Sequence, residues 1–421
     1  MRPPIEEFML FGGMMVGKSD IPRLLQRFRS LPDFVHSLNL MARYLVDRIR
    51  YPRGTRLVMG NALVARLFAS LLKQRVSVRF DCAIKDVLLE AGRITGAVIV
   101  QNGRERLVRT RVGVVLATGG FAHNQKYRTA FMSPPVPRHS MAFAGNVGDG
   151  VEIGQRLGAR ISAEQHRSGA FWTPVSVVRR SNGGDGLYPH LLLDRAKPGL
   201  IAVNADGARF VNEAVSYHDF VLAMFEGNRR VPSIPAYLIC DSAFVYKYGL
   251  GAIHPGTRNV ISCERKGLLV CGQTISKLAT KIAIDPAQLN DTVARANAFA
   301  TTGIDIDFGK GGTAFDRFNG DPDHRPNPCL GEIRTPPFCA LAVWPAEIAV
   351  STGLATDKDA RVIDGEGRPF PGLYACGNDM ASIMKGTYPG PGTTLGPAIV
   401  FGYRAAMHAA KAKNGTTGFG P

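Results

Sequence analysis

A tyrosine in a glycine- and proline-rich loop is the feature of this sequence best suited to chemistry. Tyr388 lies within residues 372–398, which open as a short apolar strand, stop at Gly377 and end in Gly392-Thr393-Thr394-Leu395-Gly396 before an apolar helix. This segment combines the end of a strand, a glycine-rich loop and the N-terminus of a helix. Where these three face the same space, they predict a binding site for the polar edge of a cofactor. We expect Tyr388 to hold a substrate over that site.

Two upstream segments place glycine-rich turns at the ends of predicted elements. Residues 114–117 form a continuous apolar run, typical of a strand covered on both faces, and Ala117 leads into Thr118-Gly119-Gly120. Such a turn lets a ligand approach the main chain at the carboxyl end of a strand, although a plain strand-to-loop turn is an alternative. Gly148-Asp149-Gly150 begins a predicted helix at residues 151–157, where Asp149 is expected to be the N-cap, to contact a cofactor hydroxyl, or to do both.

The elements around these segments predict an α/β fold with an interruption. Three strands are predicted at residues 76–80, 83–89 and 94–100, as an antiparallel meander. From residue 186 the pattern changes to short strands, turns and irregular pieces, and residues 338–344 return the chain to a sheet. We therefore expect a segment inserted between two halves of one sheet.

Composition limits the classes of function. The 421 residues suffice for two domains with their own cores, and the net charge of +17 comes from scattered basic residues without a nucleic-acid motif, which favours a basic surface over nucleic-acid binding. No apolar run approaches the roughly 18 residues that span a bilayer, and no signal-peptide core is present, so we expect no transmembrane segment and a cytoplasmic location. The seven cysteines contain no CxxC pair and no histidine at ligand spacing, which predicts buried reduced thiols and no metal site.

The order of five motifs resembles the flavoproteins of the fumarate reductase/succinate dehydrogenase superfamily. These motifs are Ala117-Thr118-Gly119-Gly120, Gly148-Asp149-Gly150, Arg209-Phe210-Val211-Asn212-Glu213, Thr352-Gly353-Leu354 and Gly372-Leu373-Tyr374-Ala375-Cys376-Gly377-Asn378. Within that superfamily, Tyr388-Pro389-Gly390-Pro391-Gly392 followed by Thr394-Leu395-Gly396-Pro397 is similar to the 3-ketosteroid Δ1-dehydrogenase branch. The resemblance runs over nearly the whole chain.

The resemblance implies where FAD and the substrate bind. It implies an FAD-binding Rossmann-like domain in two parts, residues 1–185 and 346–421, with an inserted α+β catalytic domain at residues 186–345. The FAD contacts that it implies are Ala117, Thr118, Gly119, Gly120, Asp149, Gly377, Asn378, Thr394 and Leu395.

The reaction that the resemblance implies is dehydrogenation beside the ketone of an apolar, steroid-like substrate, with an unknown final electron acceptor. Such a reaction needs a base for the α-proton, donors for the enolate oxygen and a hydride acceptor. The Tyr388 hydroxyl and the Gly392 N–H would hold the oxygen, and Tyr217 aligns with the proton-abstracting tyrosine, with Tyr246 and Tyr248 as competing candidates. Because a free phenol has a pKa of about 10, the base needs surroundings that lower it.

Neighbouring polar residues carry weaker expectations. His218, beside Tyr217, is expected at the surface rather than in catalysis. Arg209 and Glu213 are expected to be structural or to anchor the flavin side of the site. A turn tyrosine packed on its neighbouring prolines is the alternative for Tyr388.

Two departures from the family leave alternatives open. The βαβ unit with G-x-G-x-x-G that holds the adenosine half of FAD has no counterpart, so the sequence resembles an N-terminally shortened member, and a truncated remnant that folds without FAD is one alternative. An auxiliary tyrosine of the family's N-terminal half also has no placed equivalent, since the first tyrosine is Tyr44. A C4-dicarboxylate enzyme such as fumarate reductase is a second alternative, although the loop from Tyr388 to Gly396 lacks the arginine that would clamp a carboxylate.

The absence of a dinucleotide fingerprint generates a first prediction. We expect this 421-residue chain to hold FAD weakly, because the contacts to the adenosine half are missing. The ratio of flavin absorbance to protein after gel filtration measures this. A stoichiometric, tightly bound yellow flavin would contradict it.

Overall fold

The structure, a computed structural model, describes the chain in several ranges and divides it into two compact units. The described residues are 13–17, 19–25, 27–28, 30–162, 169–180, 183–191 and 194–415. Unit 1 comprises Met1–Arg79, Val177–Tyr188 and Ser242–Leu269, and unit 2 comprises Phe80–Ser176, Pro189–Asp241 and Val270–Pro421. The predicted domain boundaries after residues 185 and 345 stay a prediction.

The described residues contain both helices and strands, in agreement with the predicted α/β class. The helices among the described residues are α1 Asp20–Leu25, α2 Leu31–Arg50, α3 Met59–Lys73, α4 Gln125–Phe131, α5 Asp149–Arg156, α6 Tyr217–Gly227, α7 Ser242–Tyr248, α8 Val260–Arg265, α9 Ile275–Lys281, α10 Pro286–Thr302, α11 Ala314–Asn319 and α12 Leu395–Gly415. The strands are β1 Cys82–Glu90, β2 Arg93–Gln101, β3 Arg104–Arg109, β4 Val114–Leu116, β5 His139–Ser140, β6 Ile161–Ser162, β7 Ala170–Arg179, β8 Asp185–Pro189, β9 Leu200–Val203, β10 Ala236–Asp241, β11 Val270–Gly272, β12 Phe338–Val350, β13 Gly353–Leu354, β14 Arg361–Ile363 and β15 Pro369–Ala375. None of the helices traced in these ranges has the length and apolar character needed to cross a membrane.

In unit 1, a buried carboxylate ties the N-terminal helices together. Asp20 on α1 accepts hydrogen bonds from the Gly17 N–H at 2.7 Å and from Arg56 Nη1 at 2.7 Å, and its other oxygen lies 3.0 Å from His36 Nε2 on α2. Burial alone would raise the pKa of Asp20, but these partners outweigh burial and lower the pKa. The carboxylate therefore stays ionised and holds α1, α2 and the segment before α3 in one cluster.

The predicted meander is present in unit 2, but one of its three strands was misplaced. β1 and β2 correspond to the predicted strands, and the third is β3 rather than residues 76–80. The extended stretch at residues 76–80 is bounded by Arg75 and Asp81, whose φ angles of 55° and 51° break a strand. β2 and β3 are joined by Asn102-Gly103, with φ of 52° and 70°, the conformation that tight hairpins require.

The small sheet that carries the two glycine-rich segments has the order β14-β15-β4. β15 runs parallel to β4, with Leu373 opposite Val114 and Ala375 opposite Leu116. Gly113, directly before β4, must be glycine, because a Cβ there would lie 2.3 Å from the carbonyl oxygen of Gly372 in β15. The two strands predicted separately therefore end side by side.

A larger sheet in unit 2 precedes α6, the helix that begins at Tyr217. β12 is central, with β7 and β10 antiparallel on its two sides and β9 beyond β10. α9 and α10 cover it with apolar side chains, which form a core of Ile201, Val203, Ile239, Leu278, Leu289, Val293, Ile333 and Ala340. α6 follows β9 in the chain and brings Tyr217 to its own first position.

A buried ion network lies between β9 and α6. Arg209 donates to Glu213 Oε1 at 2.8 Å and to Asp305 Oδ2 at 2.8 Å, and Lys310 Nζ lies 3.4 Å from the second Glu213 oxygen. Glu213 also accepts the Ala202 N–H of β9 at 3.0 Å. Burial alone would raise the pKa of Glu213, but Arg209 and Lys310 lower it. These contacts give Arg209 and Glu213 a structural role, one of the two expected.

The network predicts a large loss of stability on removal of its arginine. Arg209→Met should lower the free energy of unfolding by about 3–5 kcal/mol, because it leaves two buried carboxylates short of a partner. Chemical denaturation followed by circular dichroism measures this. The matched control is Arg295→Met, whose pair with Asp307 is 57% exposed on the arginine side and should cost below about 1 kcal/mol. Equal losses in both variants would contradict the role of the network.

Candidate active site

The structure brings Tyr217 and Tyr388 together, as predicted from two distant segments. The Tyr217 hydroxyl donates to the Tyr388 hydroxyl at 2.7 Å across 171 residues of sequence, and the ring centroids lie 5.1 Å apart. Tyr217 is placed by the start of α6, where the Ser216 side chain accepts the Asp219 N–H at 3.1 Å as N-cap. Two phenols therefore direct their oxygens to one point.

His218 and Phe171 form the support of Tyr388. The Phe171 ring centroid lies 5.5 Å from that of Tyr388, and the His218 ring stacks on Tyr388 at 5.7 Å. The expectation that His218 lies at the surface is wrong, since the residue has 0% exposure. α6 is apolar on most of its circumference, so it is buried on both sides and carries its histidine inward.

His218 links β7 to the loop before Tyr388 through both ring nitrogens. The Trp172 N–H donates to Nδ1 at 3.1 Å, and Nε2 lies 3.1 Å from the Gly386 carbonyl oxygen. Because Nδ1 must present a lone pair, the proton is on Nε2 and the ring is neutral. Burial lowers the pKa of His218, which agrees with a neutral imidazole.

Both phenols are neutral in this arrangement. Burial raises the pKa of Tyr217 further above its ordinary value, the Tyr388 hydroxyl adds to that rise, and the Arg195 guanidinium opposes it. Burial also raises the pKa of Tyr388, and the hydrogen bond from Tyr217 lowers it in part. The pKa of Tyr217 is therefore raised rather than lowered as a base would need, and the Arg195 guanidinium opposes that rise only in part.

Next to Tyr388, the start of α12 presents an open main chain. The Gly392 N–H has no acceptor in the stretches for which coordinates are described, and Gly392 has a φ of 102°, which favours glycine. A Cβ at Gly390, Gly392 or Gly396 would meet no atom within 4 Å. α12 begins at Leu395, two residues before the predicted Pro397. The loop before α12 therefore leaves space beside the main chain of Gly390, Gly392 and Gly396.

The strand ends are joined by a carboxylate that the sequence reasoning missed. Asp379, in the 3₁₀ turn Gly377–Asp379 after β15, accepts hydrogen bonds from the Thr118 N–H, the Thr118 hydroxyl at 2.9 Å and the Gly120 N–H at 3.0 Å. Burial raises the pKa of Asp379 against the opposing effect of these donors. The sequence feature that could have indicated this role is the position of Asp379 two residues after Gly377, where a predicted strand ends. Two of the predicted FAD-facing donors are therefore already occupied.

Asp149 does not cap α5, contrary to prediction. The helix begins at Asp149 itself, and Gly148, with φ of 95°, takes the N-cap position without a side-chain bond. The left-handed turn starts the helix two residues earlier than predicted, so the Gly150 N–H is satisfied from outside by the Thr118 hydroxyl at 3.0 Å. A contact of Asp149 with a cofactor hydroxyl stays a prediction.

The residues around the open main chain fit the ring of a flavin. A cavity of about 440 Å³ is lined by apolar side chains such as Ile383, Met384 and Val400 and by the glycines of the loop. The buried hydroxyls of Ser351 and Thr352 have no hydrogen-bond partner among the described residues, and the Ser351 carbonyl binds the N–H of Ser382, next to the cavity. Apolar walls, bare N–H groups and unpaired hydroxyls suit a flat ring with a polar edge.

Comparisons with known proteins agree on one family. A family model described as an FAD binding domain matches residues 9–395. The chain is 34% identical over 410 residues to a 3-oxosteroid 1-dehydrogenase of Mycobacterium tuberculosis, which covers 94% of this chain and 70% of that protein. It is also 34% identical over 416 residues to the 4-oxocyclohex-2-ene-1-carboxylate 5-dehydrogenase of Sinomonas cyclohexanicum, with 98% of this chain and 70% of the relative covered.

A solved structure matches at the level of the fold and the sequence. It is the crystal structure of 3-ketosteroid delta1-dehydrogenase from Sterolibacterium denitrificans in complex with 1,4-androstadiene-3,17-dione. The TM-score is 0.87 at 35% identity, with 96% of this chain and 72% of that chain covered.

The neutral His218 generates a pH prediction. Its folded pKa is lowered, so the unfolded chain binds the proton more readily, and the stability it contributes is present above the ordinary pKa of about 6.5 and is lost as the pH falls below that value. The free energy of unfolding should therefore fall less between about pH 7.5 and about pH 5 in His218→Gln than in the unsubstituted protein. The exposed His123→Gln is the control and should keep the full pH dependence. An unchanged slope in His218→Gln would contradict this assignment.

Proposed function

This chain belongs to the FAD-binding flavoprotein family, in the branch of the 3-oxosteroid 1-dehydrogenases, and from that premise we propose that it introduces a C=C bond beside a ring ketone. The family and the cofactor predicted from the sequence are confirmed. The observation that carries the proposal is the 2.7 Å contact between the hydroxyls of Tyr217 and Tyr388, next to the open N–H of Gly392.

The roles follow from the direction of the hydrogen bond. Tyr217 donates to Tyr388, which leaves the Tyr388 O–H free to donate to the ketone oxygen of a substrate. The Gly392 N–H supplies a second donor, and two donors on one oxygen stabilise the negative charge that develops when the α-proton leaves. Tyr217, whose oxygen lies beside that of Tyr388, takes the proton from the adjacent α-carbon after its own phenol proton has been lost to solvent, because the neutral phenol is not a base.

Residues on three segments would hold FAD. We assign its ring to the N–H groups of Thr394 and Leu395 and to the turn at Gly377 and Asn378, because these main-chain groups lie at the start of α12 and directly after β15. The remaining contacts are assigned to Ala117, Thr118, Gly119, Gly120 and Asp149, of which Thr118 and Gly120 would meet FAD through atoms other than the N–H groups that Asp379 binds. When bound, FAD would accept the hydride from the β-carbon, so that two electrons leave the substrate as the C=C bond forms.

The substrate class is an apolar ring ketone with a steroid-like skeleton. Phe171 and the rings stacked on Tyr388 give an apolar environment to the ketone end. Relatives named for steroids and for oxocyclohexene carboxylates have a ring ketone in common, which supports the ketone as the recognised group. We place the enzyme in the cytoplasm.

The arrangement favours a ketone over a C4-dicarboxylate. A dicarboxylate site needs a guanidinium with free N–H donors. The arginine that influences Tyr217 is Arg195, and all of its side-chain hydrogen bonds end on main-chain carbonyl oxygens, such as Glu213 O at 2.7 Å and His190 O at 2.9 Å. It therefore has no donor left with which to clamp a carboxylate.

Removal of the Tyr388 hydroxyl tests the proposal. With purified protein, added FAD, a 3-ketosteroid and an artificial electron acceptor, Tyr388→Phe should lower kcat by about 100-fold or more, because an oxyanion donor is lost. Tyr217→Phe should lower kcat at least as much.

Tyr403→Phe is the matched control, since Tyr403 is 65% exposed on α12 and should keep the turnover of the unsubstituted protein. Unchanged turnover in Tyr388→Phe would remove Tyr388 from the reaction. Oxidation of a reduced flavin dye by fumarate, without ketone turnover, would instead support the dicarboxylate alternative.

A further inference from the structure

Arg195 is a buried arginine whose side-chain hydrogen bonds, within the described part of the chain, all end on main-chain oxygens. It is 3% exposed, and its guanidinium donates to the carbonyls of His190 at 2.9 Å, Leu191 at 3.2 Å, Glu213 at 2.7 Å and Val215 at 3.3 Å. Both Nη1 and Nη2 bind Val215 O, so five hydrogen bonds end on four carbonyl oxygens. Every donor of the planar fork is therefore in use.

The charge of Arg195 is not neutralised by a hydrogen-bonded carboxylate. The Asp194 side chain is directed to His190 Nδ1 at 2.6 Å, and that of Glu213 is directed to Arg209 at 2.8 Å. Burial lowers the pKa of Arg195, the nearby carboxylates of Asp194 and Glu213 oppose that effect, and the guanidinium stays protonated. Asp194 and Glu213 lie near enough to act on the guanidinium, and Asp194 also accepts the Arg195 main-chain N–H at 2.9 Å, but neither is shown hydrogen-bonded to the guanidinium among the described residues, so a further negative charge nearby would stabilise this buried cation.

The cation lies beneath the first turn of α6. Glu213 and Val215, whose carbonyls it binds, belong to the turn that leads into α6, and Tyr217 is the first residue of that helix. The Arg195 guanidinium carbon lies 4.8 Å from the ring centroid of Phe220, three residues after Tyr217 and on the same helix face. Arg195 therefore contacts residues before and after Tyr217 in the sequence, which places its positive charge near the first residue of α6.

We propose that Arg195 is a positioning residue for Tyr217: it fixes the turn that leads into α6 and supplies the positive charge that stabilises the phenolate form of Tyr217. This inference rests on the proposed function, in which Tyr217 removes the substrate proton. The Tyr217 phenol first loses its proton to solvent, and the phenolate oxygen then takes the proton of the α-carbon, whose C–H bond breaks. Arg195 gains and loses no proton.

Other charged or titratable groups near Tyr217 do not supply this charge. Tyr388 is a neutral phenol that accepts the Tyr217 hydrogen bond. On α6 itself, His218 is neutral and directed to Trp172 and Gly386, and the Asp219 carboxylate, bound to Ser216, is negative. The carboxylates of Asp194 and Glu213, near the guanidinium, also carry negative charge, which leaves Arg195 as the group that favours an anion at Tyr217.

A pair of substitutions separates charge from packing. In an assay with FAD, a 3-ketosteroid and an artificial electron acceptor, Arg195→Gln should lower kcat about tenfold or more with little change in KM. The increase of kcat with pH that accompanies loss of the Tyr217 proton, the alkaline rise, should move to higher pH by about one unit. Arg195→Lys keeps the charge and should leave that rise near its original position. Arg317→Gln is the control, since exposed Arg317 also donates to a main-chain carbonyl, that of Gly311 at 2.9 Å, and should change neither quantity.

A purely structural role predicts a different result. Both Arg195 variants would then lose folded protein or raise KM equally, and the pH dependence of kcat would not move, which would overturn the proposal. If Arg195→Gln does not fold, Arg195→Met serves as the neutral variant. Its rise in kcat should lie about one pH unit above that of Arg195→Lys, and equal positions of the two rises would overturn the proposal.

A readout without turnover separates this inference from the proposed function. In protein labelled with 3-fluorotyrosine, the ¹⁹F resonance that disappears in Tyr217→Phe reports Tyr217, and its titration midpoint should rise in Arg195→Gln but not in Arg195→Lys. An unmoved midpoint in Arg195→Gln would overturn the role of Arg195 whatever the turnover. Absence of ketone turnover in the unsubstituted protein, with the expected shift in the midpoint, would refute the proposed function alone.

Discussion

One buried carboxylate holds together the edge of the site. Asp379 binds the main chain and side chain of Thr118 across 261 residues of sequence, and the same Thr118 hydroxyl accepts the Gly150 N–H at the start of α5. Gly150 must be glycine, because a Cβ there would lie 2.6 Å from the carboxylate. The ends of β4 and β15 and the beginning of α5 therefore meet at a single side chain, and the order of the small sheet depends on it.

The electrostatics of the tyrosine pair show why two phenols alone are insufficient. Burial and mutual hydrogen bonding keep Tyr217 and Tyr388 neutral, and the neighbouring His218 is also held neutral. The site is therefore uncharged at rest. A nearby positive charge is needed to stabilise the phenolate of Tyr217 when a ketone substrate binds. The Arg195 guanidinium donates to the carbonyl oxygens of Glu213 and Val215 and so also fixes the turn that leads into α6.

Local patterns predicted the segments that carry the chemistry, and tertiary packing determined what they contact. The apolar run at residues 114–117 and the loop around Tyr388 were recognisable because strands, glycines and helix starts have local signatures. The strand at residues 76–80 was wrong because two positive φ angles at its ends outweighed its apolar composition, while Asn102-Gly103 marked the real hairpin. The burial of His218 and the bonds of Asp379 depend on residues far away in sequence, which no local pattern contains.

The 171-residue separation of the two phenols also bears on how the protein acquires its site. A contact of such high sequence separation must offset a loop-closure entropy that contacts within a single helix do not carry. During synthesis, Tyr217 leaves the ribosome before Tyr388. The phenol pair therefore cannot form until the chain has been synthesised as far as the loop that contains Tyr388, whereas α6 itself is complete much earlier.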